Sequence, residues 1–350
     1  MIRSMRNLKT VIASAILATT ATAQVPPPGA PVPSPANSNT ESASFSQGPR
    51  WLGQRYLSGG DYRELDDLVA DLVKKKARND DGRFELSMME EGIEEFIDLF
   101  RSSGDAFMTS RLESWQSDFP DSAYRPIVAA INLNSAAWHA RGHGFSSTVT
   151  DEGWKLFHER SRRAWIILMD SKKASSSIPS WYSNAISIGF SAEVSGAELR
   201  ELFDEGITRH PGYSPIYFAY LQEFAPRWGG TFAAADKFIR EQVAAKTNTD
   251  GEVLYARLYW SLDQYGGQQP DLFTDSMVSW PRMRKAFEQM MREYPHSDWN
   301  LANFASFACR ARDATSYGKL RAKVNPLRFE EASPEGISLD VCDTRFMKST

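Results

Sequence analysis

The stretch MRKAFEQMMREYP, residues 283–295, decides the fold. Counting back from Pro295, apolar side chains stand twelve and eight positions earlier (Met283, Phe287), an acid seven earlier (Glu288), and a ring directly before the proline (Tyr294). The same pattern leads to Pro120, through Met108, Leu112, Glu113 and Phe119, and to Pro211, through Leu199, Phe203, Asp204 and His210. Positions twelve, eight and five before a stop share one face of an α-helix. Proline ends that helix because it lacks the N–H and its ring collides with the preceding turn. A helix, a proline stop and another helix, recurring in this way, predict an all-α fold, a tetratricopeptide-like array of antiparallel helical hairpins forming an α-solenoid. Arrays of this kind present surfaces more often than they carry out reactions.

Helical signals continue on both sides. Asp61 and Glu64 read as a capping box for a helix with Tyr62, Leu65, Leu68, Val69, Leu72 and Val73 on one face, which runs out in the basic and polar stretch Lys74 to Arg83. Ser87 and Glu90 read as a second box, before Ile93, Phe96, Ile97 and Phe100. Gly142 suits a left-handed C-cap, Thr150 an N-cap for the stripe Trp154, Phe157, Ala164, Trp165 and Leu168, and Pro179 the first turn of the helix beyond. Pro226 stops an aromatic-rich helix through Tyr217, Tyr220, Leu221 and Phe224, Thr231 caps the next, and a polar loop, Gly266 to Gln269, comes before the 283–295 stretch. No run alternates with period two, so no sheet is expected.

The segment ending at Pro211 is similar to a tetratricopeptide repeat, with Ile186, Phe190, Phe203, Gly206 and Pro211 near the positions that family fills with large, aromatic, aromatic, small and proline residues. The strings Asp151 to Phe157, Pro226 to Gly230, Trp280 to Met283, Tyr294-Pro295, Trp299 to Leu301 and Phe307 to Cys309 resemble an uncharacterised bacterial domain family of unknown function with tetratricopeptide-like helical repeats. The resemblance covers most of Arg63 to Asp313 and implies an α-helical repeat fold. It supplies no catalytic residue.

Residues 1–23 read as a signal peptide: Arg3, Arg6 and Lys9 precede the apolar run Val11 to Ala18, and Ala21 and Ala23 form a small-x-small cleavage site. The chain is therefore expected to be exported, periplasmic or secreted. The run falls short of the roughly 20 apolar residues that span a bilayer, so no membrane span is expected. Residues 24–50 form a Pro-rich linker with too little apolar bulk to fold, either a semi-rigid tether or an unstructured leader. Residues 51–350 have the composition of a folded α-helical repeat domain, and a single array is favoured over two domains. Without Arg3, Arg6 and Lys9 the formal charge moves from −4 to −7. That argues against nucleic acid and favours a neutral or basic partner.

Candidate chemistry is sparse. Cys309 and Cys342 are the only cysteines of an exported chain and are a candidate disulfide. Arg227, Trp228, Gly229 and Gly230 could form an anion- or ligand-binding turn at a helix start, or a plain interhelical turn with Trp228 in the core. His139 and His143 have the i, i+4 spacing of metal ligands, with His158 following, but Gly142 and Gly144 place His143 beyond the helix, so no metal site is expected. Asp151 and Glu152, or Glu94 and Glu95, could be paired for glycan hydrolysis, yet first-turn acids also suit a helix dipole. No Gly-x-Ser-x-Gly elbow is present, and no cofactor is expected. The expected function is a protein- or peptide-binding scaffold, with an all-helical envelope hydrolase as the alternative.

Overall fold

The computed structural model describes residues 48–101, 105–142, 146–265, 271–334 and 336–347. The proposed signal peptide and nearly all of the Pro-rich linker lie outside them. Seventeen α-helices and no strand occur among the described residues, so the fold is all-α. The described residues fall into two compact units.

The N-terminal unit holds residues 48–77 and Phe84–Trp181. Its helices are α1 (Pro49–Gly59), α2 (Tyr62–Lys75), α3 (Glu85–Arg101), α4 (Ala106–Asp118), α5 (Arg125–Arg141) and α6 (Asp151–Ser175). Helix α1 starts at Pro49, so the last two residues of the expected linker belong to the fold: proline suits a first turn, and Arg50 is held by carboxylates of α3. Trp115 of α4 is wholly buried and stacks on Tyr62 at 5.1 Å. Helices α5 and α6 pack as a long hairpin in which Phe157 meets Trp138 edge to face at 5.0 Å. Arg141 lies over both Trp138 (5.4 Å) and Trp154 (5.1 Å), while Arg160 donates to the Ala136 carbonyl at 2.8 Å.

The C-terminal unit holds Arg78–Arg83 and Tyr182 onward, the division falling within α7 (Ser180–Ser191). It continues through α8 (Gly196–Arg209), α9 (Ser214–Leu221), α10 (Phe232–Ala244), α11 (Glu252–Tyr265), α12 (Leu272–Asp275), α13 (Trp280–Glu293), α14 (Asp298–Arg310), α15 (Ala314–Arg321), α16 (Pro326–Ala332) and α17 (Leu339–Met347). Helices α7 and α8 form the tetratricopeptide-like hairpin. A Cβ on Gly206 would come within 2.9 Å of the Tyr182 ring, which is why the small position must be small. Two aromatic groups fill the core, one around Phe203 and Tyr220 (4.6 Å, stacked) and one around Phe287 and Phe304 (5.1 Å, stacked).

The proline junctions have one geometry. Phe119, His210 and Tyr294 take φ/ψ of −136°/70°, −126°/64° and −129°/67°. Each N–H returns to a helix carbonyl at 2.8–2.9 Å, and each carbonyl accepts from the N–H three residues on (Ser122, Tyr213, Ser297) at 3.1–3.3 Å. The residue before a proline is pushed out of the helical region, and here it makes the same turn each time. Met108, Leu199, Phe203, Met283 and Phe287 are buried and Leu112 is half-buried, whereas Glu113, Asp204 and Glu288 are exposed.

Local signals were partly displaced. Thr150 and Thr231 cap α6 and α10 through Gly153 and Ala234 N–H groups. Gly142 caps α5 with φ 76° but extended ψ. Asp61 precedes α2 without a side-chain capping bond, and α3 begins at Glu85, so Ser87 and Glu90 sit inside the helix. Glu90 is buried and accepts from the Tyr124 hydroxyl at 3.3 Å, because its place on the inward face outweighs the cap. Helix α9 ends at Leu221 and passes through a 3-10 turn before Pro226. The loop at Gly266 to Gln269 lies outside the described residues.

Candidate functional site

The turn at Pro226 is built from main-chain bonds. Residues Pro226–Trp228 form a 3-10 turn, Gly229 has φ 91°, and the N–H groups of Trp228, Gly229 and Gly230 donate to the carbonyls of Ala225, Pro226 and Ala225. Those donors are thereby turned onto the chain itself. Trp228 meets Phe190 edge to face at 6.4 Å, and the side chain of Arg227 lies outside the described residues.

The histidines are not brought together as ligands. His139 is exposed on α5, His158 packs against Trp154 and Phe157, and His143 and Gly144 lie outside the described residues. No group of three or more His, Cys, Asp or Glu that could hold a metal occurs among the described residues. Asp151 and Glu152 are exposed in the first turn of α6, where Lys155 lies 3.7 Å from Glu152. Cys309 and Cys342 are joined by a disulfide with Cα atoms 5.8 Å apart.

Helix α3 concentrates acid. Arg50 holds Glu95 through two nitrogens, Nε lying 2.9 Å from Oε2, and lies 3.7 Å from Glu91, while Ser135 donates to Asp98 at 2.5 Å. Burial, and then the charges of Glu90, Glu91, Asp98 and Glu95, push the Glu94 carboxyl from 4.5 up to about 8. A raised carboxyl favours folding fully below pH 4.5, and that contribution is lost as pH rises through about 8. Glu94→Gln, which copies the neutral form, should therefore match the native protein in urea midpoint at pH 4 and exceed it at pH 9. The gain should be about 1–2 kcal/mol, a figure reduced for the partial exposure of the side chain. A gain of equal size at both pH values would contradict this assignment.

The most completely built polar cluster belongs to a segment the sequence marks only as a fraying, basic stretch. Within the C-terminal unit, Asp81 is held on two sides. Its carboxylate accepts from Ser297 Oγ at 2.5 Å, and its carbonyl accepts from Arg257 Nη2 at 2.8 Å and Asn300 Nδ2 at 3.1 Å. Arg78 grips Asp250 with both terminal nitrogens (3.1 and 2.9 Å) and donates to the Gly212 carbonyl at 3.3 Å. Gly82 has φ 73°, and a Cβ there would lie 2.5 Å from the Tyr294 ring and 2.7 Å from Arg257 Nη2, so only glycine fits.

The receiving side chains come from helices that the core fixes: Arg257 from α11, Ser297 as the N-cap of α14, and Asn300 from its first turn. They are 8%, 2% and 1% exposed. Burial lowers the pKa of Arg257; Asp250 opposes this, while Arg78 and Arg83 add to it. The segment also shapes itself. Asn79 Oδ1 accepts from the N–H groups of Asp81 (3.1 Å) and Arg83 (2.9 Å), and the Gly82 N–H donates to the Asn79 carbonyl at 2.9 Å. A legible signal did exist: Asn-x-Asp-Gly occurs at Asn79–Gly82 and again at Asn248–Gly251, where Asn248 Oδ1 accepts from the Asp250 N–H at 2.9 Å.

Comparison with known proteins adds no relative: no protein-family profile, curated protein or solved structure matches the chain.

Proposed function

We propose that this is an exported helical-repeat protein that binds a protein or peptide partner. One observation carries the reading: three junctions share a backbone geometry, the mark of a repeated helical unit. A unit of constant backbone repeated along the chain is how helical repeats build extended binding surfaces. The disulfide supports export, since such bonds persist in oxidising compartments. The acidic mature chain supports a neutral or basic partner over nucleic acid.

The test is affinity capture from an envelope extract by the mature chain, residues 24–350, followed by reconstitution of each captured pair from purified components. A pair with a saturable dissociation constant is expected, and absence of any reconstituted pair would remove the reading.

A further inference from the structure

We propose that Met277 is a modification site of the C-terminal unit, where a two-electron oxidant of the peroxide class converts the thioether to one preferred sulfoxide epimer. The side chain stands in the connection between α12 and α13 and is 67% exposed. Of the other methionines whose side chains are described, Met88, Met169 and Met291 are half-buried and Met89, Met108, Met283 and Met290 are buried. Bonds on both sides hold Met277 outward. Its N–H donates to Asp236 Oδ2 at 2.8 Å, the Ser279 N–H donates to the Tyr255 hydroxyl at 2.8 Å, and Ser276 Oγ donates to the Leu272 carbonyl at 2.6 Å. Asp236 is 1% exposed and also accepts from the Tyr259 hydroxyl at 2.6 Å, so the anchor belongs to the core. The sulfur therefore meets solvent with no opening of the fold.

The second feature is Arg240, whose Nη1 donates to Met277 Sδ at 3.6 Å. This weak bond engages one of the two sulfur lone pairs and leaves the other to attack. The free pair forms an S–O bond with one oxygen of hydrogen peroxide as the O–O bond breaks. The hydroxide released takes up the remaining proton and leaves as water. Sulfur gives up two electrons and the peroxide gains them. Oxidation makes the sulfur a stereocentre, so masking one lone pair selects one epimer. An exposed apolar side chain becomes a polar one, and the change is reversed by a reductase specific for that epimer.

The experiment treats the full mature chain with limiting hydrogen peroxide and maps the products by peptide mass. Met277 should gain one oxygen at least about tenfold faster than Met89, Met108, Met283 and Met290, which the oxidant reaches only through local opening. The oxidised chain is then divided between the two epimer-specific methionine sulfoxide reductases. One of them should restore Met277 at least about threefold more completely than the other, and Arg240→Ala should bring the two to equality. Met277→Leu should remove the earliest mass shift while leaving the helical circular-dichroism signal unchanged. Faster oxidation of any other described methionine would overturn the proposal. Equal repair of the native sulfoxide by both reductases, or a bias that survives Arg240→Ala, would overturn it as well.

Discussion

Phe287→Ala should lower stability by about 3–5 kcal/mol, the largest effect expected of any single truncation here. The ring is wholly buried on α13, lies parallel to Phe304 at 5.1 Å and contacts Phe307 at 5.7 Å and Trp260 at 6.2 Å. Removing it takes away both the transfer free energy of a large apolar side chain and the partners of three other rings, which are tied to α11 and α14 and cannot collapse into the space. The comparison is Leu327→Ala, where the side chain is 75% exposed and the change should stay within about 0.5 kcal/mol. Urea unfolding followed by far-ultraviolet circular dichroism reads both. Similar midpoints for the two variants would show that the aromatic group is not a core.

Replacing both cysteines by alanine should cost about 3–4 kcal/mol, because the bond closes 33 residues of sequence and its loss returns that freedom to the unfolded chain. The effect should be localised. The two sulfurs are fully buried with Tyr317, Val324, Phe329 and Leu339 in a satellite cluster, and Arg345 donates to the Cys309 carbonyl at 3.0 Å. Helices α15 to α17 are short and depend on that cluster, so amide exchange should accelerate there while the Phe203 group stays protected. Adding reductant to the native protein should act slowly, since the bond must first be exposed by opening. Uniform acceleration throughout the C-terminal unit would mean that the bond stabilises more than its own neighbourhood.

The helical hairpins were legible because their determinants are local: a proline, a ring before it and apolar residues at fixed distances put Met108, Leu199 and Met283 inside and Glu113, Asp204 and Glu288 outside. Thr150 and Thr231 were legible for the same reason, each acting on a residue three positions away. The cysteine pair was a matter of there being no other candidates. The turn at Asn79–Gly82 had a local signal, but where it docks was opaque, because Arg257, Ser297 and Asn300 lie more than 170 positions along the chain. Ser87 and Glu90 show the converse error, a local motif overruled by which face the core required.

The three matching bends at Phe119, His210 and Tyr294 are fastened by main-chain atoms and by the proline that follows each. Inheritance can therefore copy the bend intact while mutation rewrites the groups beside it. A duplicated segment arrives with its hinge already finished and its outer face still unwritten, and new specificities can accumulate without re-solving how one helix follows another.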